Sequence, residues 1–243
     1  MNSVTTLTLA AVCAFTMPAR AHDAAKASYG YATFENGDFG IVNLATGQFA
    51  YCGNSGAVLA GLAIGPSNAI YTLDTATNEI FIVSPSNGSL TDVGSSGISG
   101  SNFGFGSTLS GIYDLDASAN VYSINPSSGK ATLIGNTGVP DGANAVAMST
   151  GSKKLYLAND YSLFSLSTKN GKAHSIGTGS AYFGGLAYVK KVLYGIAGPG
   201  AAAIYIVDAF TGKTTFVANV QGESANAFGL APAPATAKNG CSG

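Results

Sequence analysis

Charged side chains are scarce in this chain: Asp, Glu, Lys and Arg make up 9% of its 243 residues, against a usual ~25%. With a formal net charge of -1 it lacks the clustered Lys and Arg that a phosphate backbone demands, so no nucleic-acid partner is predicted. Nor does it carry the high net charge that keeps chains unfolded. Tryptophan is absent, and the two histidines are His22 and His174. Two imidazoles cannot build a histidine metal cluster, and a serine triad would have to rest on His174. Beyond the first 21 residues no apolar run approaches the ~20 residues of a membrane-spanning helix. No 3.6-residue apolar stripe survives the density of Gly, Asn, Ser and Thr, so there is no helix for a phosphate-cradling Gly loop to lead into.

Glycine is plentiful, 33 of 243 residues, twice its usual ~7% share, as many short strands joined by tight turns require. Hydrophobic residues reach 46% with a mean hydropathy of +0.26, enough for a substantial core. Residues 1–21 read as a secretory signal: an apolar run from Leu7 to Phe15, then Met17, Pro18 and the small-residue site Ala19-Arg20-Ala21, although no Lys or Arg precedes the run. Cleavage would leave His22 first and place the mature chain outside the cell or in the periplasm. It would also remove Cys13, leaving Cys52 and Cys241, an even pair in a compartment where disulfides persist; they are predicted to bond.

A repeat emerges when the chain is aligned on one short turn. The segments Ile41–Gly47, Phe81–Gly88, Tyr122–Gly129, Phe164–Gly171 and Tyr205–Gly212 end on glycines separated by 41, 41, 42 and 41 residues. A period near 40 rich in alternating strand patterns predicts propeller blades. In the third unit the strands are expected over Phe105–Leu109, Ile112–Leu115, Asn120–Asn125 and Ala131–Ile134. The innermost strand carries small residues, as in Gly61-Leu-Ala63, Gly185-Leu-Ala187 and Gly229-Leu-Ala231; the next opens on an aliphatic residue and Tyr, as in Ile70-Tyr71, Ile112-Tyr113, Leu155-Tyr156 and Leu193-Tyr194. These tyrosines read as packing between blades.

The ends supply a closure argument. The first unit, from Ala27 to Phe34, matches the second strand of the repeat, and its missing innermost strand is Phe228–Ala231 at the C-terminus. The expected fold is an all-β, five-bladed β-propeller of four-stranded antiparallel blades over residues 22–231, with blade one completed by the C-terminal strand. Such closure removes open sheet edges. Residues 232–243 form a tail that the disulfide ties back.

The unit Leu/Ile-Tyr-x-x-Asp, aromatic-x-Ile, Pro-x-x-Gly-Lys-x-Thr-x-Ile-Gly, clearest from Ile112 to Gly135, resembles the repeats of secreted bacterial β-propellers of the YVTN-like and related uncharacterised kinds. The resemblance spans about residues 28 to 231. It implies the fold and no particular activity, since fold does not settle function.

Sorting charges by loop predicts a polarised domain. Glu35, Asp38, Asp74, Glu79, Asp116, Asp141, Asp160 and Glu223 fall near loops joining second to third strands or one unit to the next; the eight lysines from Lys130 to Lys213 fall on the opposite turns, and Asp92 and Asp208 do not follow the split. Carboxylates focused in a cleft would attract a cation or a polyhydroxylated ligand, whereas Asx turn capping explains the same pattern without a ligand. Asp114-Leu-Asp116-Ala-Ser118-Ala-Asn120 has the alternating oxygens that open a calcium loop but lacks its Gly and closing Glu. Calcium, held by Asp114, Asp116 and Asn120, is the one cofactor considered. Candidate ligand-binding residues at the acidic mouth are Asp74, Asp116, Asn159, Asn102, Phe105, Asn144 and Phe183; core packing is the competing reading for the phenylalanines.

Three readings follow. The first is a secreted, monomeric binding module that contacts a glycan, a cell-surface component or a protein at the acidic mouth. The second is an extracellular hydrolase or lyase using mouth carboxylates, with no catalytic residue assigned. The third is a scaffold whose channel is plugged by Leu62, Val146 and Leu186. Asn87-Gly88-Ser89 is a glycosylation sequon on an exposed turn.

Overall fold

β-Branched and aromatic residues in short runs, cut by Gly, Asn and Asp turns, give short strands that pair antiparallel with their sequence neighbours. The structure is a computed structural model and describes residues 28–139, 146–198 and 200–241. The first unit contributes β1 (Tyr29–Phe34), β2 (Asp38–Asn43) and β3 (Phe49–Asn54). The second holds β4 (Ala63–Ile64), β5 (Ile70–Leu73), β6 (Glu79–Val83) and β7 (Leu90–Ser95). The third holds β8 (Asn102–Thr108), β9 (Gly111–Asp116), β10 (Asn120–Ile124) and β11 (Ala131–Asn136). The fourth holds β12 (Val146–Thr150), β13 (Leu155–Asn159), β14 (Ser162–Leu166) and β15 (Ala173–Thr178). The fifth holds β16 (Phe183–Val189), β17 (Val192–Ala197), β18 (Ala203–Val207) and β19 (Thr214–Asn219), and β20 (Ala227–Ala233) follows. Among the described residues there is no α-helix, only two 3-10 turns at Pro66–Asn68 and Ala235–Asn239.

The C-terminal strand lies where the repeat phase placed it. β20 pairs antiparallel with β1, Tyr31 opposite Ala231 and Thr33 opposite Gly229, giving the order β20-β1-β2-β3. β4 to β7 and β8 to β11 form further four-stranded sheets in sequence order, and β12 to β19 form eight strands in which β12 and β16 meet in parallel through Ser149–Leu186 and Thr150–Ala187. The first strands of successive units touch: β4 on β8, β8 on β12, β12 on β16, β16 on β20, and β20 on β4. Glycine permits this approach. A Cβ at Gly61 would fall 2.6 Å from the Phe105 carbonyl oxygen, and one at Gly185 would collide with the Leu230 backbone nitrogen.

Two details recur once per unit. Gly47, Gly88, Gly129, Gly171 and Gly212 share φ values of 73°, 72°, 71°, 74° and 73°, the left-handed region in which a side chain is strained. Each packs on the outer strand of the preceding unit, and for Gly47 the partner is Asn219 at the end of β19. A register shift also interrupts each third-to-fourth strand pairing, at Phe39/Gly40, Ile80/Phe81, Val121/Tyr122, Leu163/Phe164 and Ile204/Tyr205. Such bulges strengthen local twist.

The core consists of clusters between successive sheets, each holding one tyrosine from the same register position: Tyr31, Tyr71, Tyr113, Tyr156 and Tyr194. The cluster around Tyr194 joins Val189 and Ile196 of the fifth unit to Phe34, Val42 and Leu44 of the first. Leu62 and Leu186 also lie in these clusters, while the Val146 side chain lies outside the described residues. Cys52 on β3 and Cys241 form a disulfide with a Cα–Cα distance of 5.3 Å. Ala237 of the tail is buried beside Tyr31 and Ala231.

Strand ends differ from expectation in the third unit. β8 begins at Asn102, three residues before the expected Phe105, because a bulge between Asn102 and Gly104 carries its pairing with β9 out to Asp116.

Candidate functional site

Antiparallel connectivity places all second-to-third strand turns at one end of the molecule and all first-to-second turns at the other. The candidate carboxylates lie at the first of these ends, where they hold turns together. Asp74 accepts from the Ala76 N–H at 3.0 Å and from the Thr77 hydroxyl at 2.9 Å. Asp116 accepts four donors: the Ser118 and Asn120 N–H groups at 2.9 and 2.8 Å, and the Asn120 amide and Tyr122 hydroxyl, both at 2.9 Å. Both are therefore Asx-type caps, the residue's commonest structural use in turns. Asn159 ends β13, buried, in register with Ser162. At the same end the Glu35 carboxylate accepts from the Asn226 amide at 2.8 Å, which ties the first unit to the approach of β20.

Asn102 is buried and donates to the Asn78 Oδ1 at 2.6 Å, while Asn78 donates to the Gly100 carbonyl at 2.8 Å. Phe105 lies in the apolar cluster between the second and third units. Phe183 lies between the fourth and fifth, edge-on to Tyr205 at 5.7 to 5.9 Å spacing along a Phe183–Tyr205–Phe216 row. The core-packing reading describes both phenylalanines. Asn144 lies outside the described residues. Of the calcium candidates, Asp116 and Asn120 bond to each other. Asp114, two residues along the same face of β9, is fully buried and its carboxyl oxygens have no hydrogen-bond partner among the described residues. Burial pushes the Asp114 acid well above the usual carboxylate range and the Asp116 charge adds to the rise, against the nearby Leu115 N–H. Among the described residues no three His, Cys, Asp or Glu side chains gather as a metal site would need.

Asp114 is the exception within its register position. Aligned on the tyrosines, the residue that follows is Ala32, Thr72, Asp114, Leu157 and Gly195. Thr72 donates its hydroxyl to the Gly61 carbonyl at 2.7 Å, whereas the Asp114 carboxyl has no such partner.

At the opposite end the first-to-second turns converge on a concavity of about 910 Å³. All five units contribute: Tyr31 and Pro232 from the first, Pro66 from the second, Ser110 and Tyr113 from the third, Gly151 and Tyr188 from the fourth and fifth. Among the described residues no lining side chain is charged. Its walls are tyrosine, proline and aliphatic surface set with hydroxyl and amide groups. Pro66, Pro126, Pro232 and Pro234 recur at this end because a turn or strand terminus tolerates a residue without an N–H. Leu109 stands at the rim, 70% exposed. This concavity was not legible in the sequence, where of its lining only the Ile112-Tyr113 pair and the Pro126 turn carried a repeat signal.

The eight lysines from Lys130 to Lys213 lie in the turns of this same end. Lys153 and Lys154 follow the lining residue Gly151, and Lys190 and Lys191 follow Tyr188. Asp208 is the acid among these turns in the described chain; its carboxyl is held below the usual range chiefly by the Phe210 N–H. Among the described residues the acidic and the lysine-bearing turns thus lie mostly at opposite ends, with Asp92 and Asp208 outside the split and Asp141 outside the described residues, and the concavity opens at the lysine-bearing, basic end.

No family model matches the chain, and no curated protein matches it. Among solved structures, a chain from the crystal structure of a nidogen/laminin complex superposes with a TM-score of 0.55 at 13% identity, covering 86% of this chain and 98% of that chain. At that identity the likeness concerns fold alone, and the chain has a β-propeller-like all-β architecture.

Proposed function

We propose that this chain is a secreted five-bladed propeller, closed by its C-terminal strand, that works as a binding module for a glycan or surface component. The observation that carries the reading is the concavity of about 910 Å³ to which all five units contribute, a size and an uncharged lining typical of sites for compact ligands. The circuit of first-strand contacts and the Tyr194 cluster joining the fifth unit to the first support closure. The disulfide supports an oxidising compartment. The nidogen/laminin chain that shares the fold comes from a protein complex, which accords with a binding role. The ligand surface in this proposal is the basic end, since the Asp74 and Asp116 carboxylates are occupied by turn donors.

The test is a glycan-array screen of residues 22–243 and of the Ser110→Trp variant, with and without calcium. Ser110 is exposed at the wall of the concavity, so the indole fills the space without changing charge. A hit that the variant loses supports the reading. A hit that survives the variant, or a blank array, refutes it.

A further inference from the structure

The concavity and the charge distribution are separate observations that coincide at one end. Among the described residues the cavity lining carries no charge, only apolar faces from Tyr31, Tyr113, Tyr188 and Pro66 and polar groups such as Asn68 and Ser110. Around it, Lys153, Lys154 and Lys191 are exposed in the two turns whose residues Gly151 and Tyr188 line it, and Lys130, Lys169, Lys172 and Lys213 stand on the outer turns of the same end. The chain as a whole has a net charge of -1, so this basic end reflects how the units are oriented and not an excess of lysine.

These features select a ligand chemistry. A sugar ring has apolar C–H faces and a girdle of hydroxyls, which suits walls of tyrosine and proline with a few hydroxyl and amide groups. An ionised group pushed into the lining would lose hydration with no countercharge to replace it. The same group standing at the rim would meet lysine ammonium groups while still wet, where opposite charge speeds association and adds modest affinity. An extended polymer can satisfy both conditions, with one ring in the concavity and its neighbours across the rim.

We infer that the ligand is an anionic polysaccharide, carrying carboxylate or sulfate groups, with one sugar unit in the concavity and its charged neighbours on the lysine turns. The inference rests on the proposed binding role and adds the ligand class and its anchor points. Lys153, Lys154 and Lys191 are the charge contacts; the tyrosine and proline walls receive the ring.

The experiment measures binding of the mature chain to polygalacturonate, dextran sulfate and uncharged dextran, at low and at physiological salt. It is repeated for Ser110→Trp and for the triple variant Lys153→Gln/Lys154→Gln/Lys191→Gln, with melting curves to show that both fold. Expected are binding to at least one anionic polymer and about a tenfold loss in the triple variant. A comparable loss should follow on raising the salt, because exposed charge contacts are individually small and screened. Ser110→Trp should lose binding at both salts. Equal binding to dextran with no effect of the lysine variant overturns the anionic assignment, while its loss in Ser110→Trp would leave the binding role standing. Anionic binding that the lysine variant loses and Ser110→Trp keeps overturns the ring-in-cavity geometry and with it the proposed site. No binding to any of the three polymers overturns the inference.

Discussion

Asp114→Asn should raise the stability of this protein at neutral pH and leave it nearly unchanged near pH 4. The Asp114 carboxyl is fully buried, its oxygens lack hydrogen-bond partners, and its proton affinity is raised by burial and by the Asp116 charge. In the unfolded chain the same group ionises near ~3.9. Below that value both states hold the proton and the residue adds no pH dependence. Above it the unfolded state releases the proton while the folded state keeps it, so folding loses stability as pH rises, until the folded group ionises too. The slope across that window is about 1.4 kcal/mol per pH unit. For a domain of this size each such unit corresponds to roughly 3–5 °C in melting temperature. Asn keeps the shape and removes the ionisation; Asp114→Ala, which copies Ala32 at the same register position, checks that the effect does not depend on an amide. The assay is scanning calorimetry of wild type and both variants from pH 4 to pH 8. The reasoning predicts a gap that opens in favour of the variants as pH rises. A gap independent of pH, or a wild type more stable at pH 7, would refute it.

Reducing the Cys52–Cys241 bond, which closes a separation of 189 residues, should cost up to about 5 kcal/mol on the chain-entropy model, read as a lower urea midpoint with reductant than without. Gly185→Ala should cost more than Gly56→Ala. Gly56 has φ +73° and nothing within 4 Å of an added Cβ, so strain alone of about 1 kcal/mol applies. At Gly185 the Cβ would collide with the β20 backbone, and overpacking of about 2–3 kcal/mol is expected; similar urea midpoints for the two variants would contradict this. Truncation before Ala227 removes β20, strips the Leu230 and Ala231 contacts from two clusters and exposes the edge of β1. Loss of cooperative melting is the expected result, and a two-state melt of the truncated chain would argue against closure by that strand.

Much of the fold was legible because repetition multiplies a weak local signal. One Gly in a turn says little, but five at a constant interval report a common backbone, and Gly47 through Gly212 do share one left-handed conformation. The tyrosine following an aliphatic residue, seen in four units, likewise reported one position in a sheet interface; each of the four occupies its own cluster, and Tyr31, which follows Gly30, holds the same position in the first unit. Cysteine parity, with Cys13 assigned to the expected signal segment, pointed to the Cys52–Cys241 disulfide that the structure holds. The candidate site was less legible. Asp74 and Asp116 satisfy both a ligand pattern and a turn cap, and only the hydrogen bonds distinguish them. Phe105 and Phe183 could face a mouth or a neighbouring sheet, a choice made by strand register. Asp114 read as a ligand of a calcium loop, yet it is buried without a hydrogen-bond partner among the described residues while Asp116 caps the turn.

The sequence by itself determined the strand succession, the unit length, the phase that assigns β20 to the first sheet and the separation of acidic from basic turns, because each depends on local periodicity or on residue identity at a repeated position. Only the tertiary structure decided where the units leave open space. The concavity at the basic end arises from how Tyr31, Tyr113, Gly151, Tyr188 and the prolines Pro66, Pro126, Pro232 and Pro234 converge, and such convergence depends on packing angles and close backbone contacts between residues far apart in the chain. The burial of the Asp114 carboxyl without a hydrogen-bond partner among the described residues has the same origin, since burial is a property of the packed sheets and not of the local sequence.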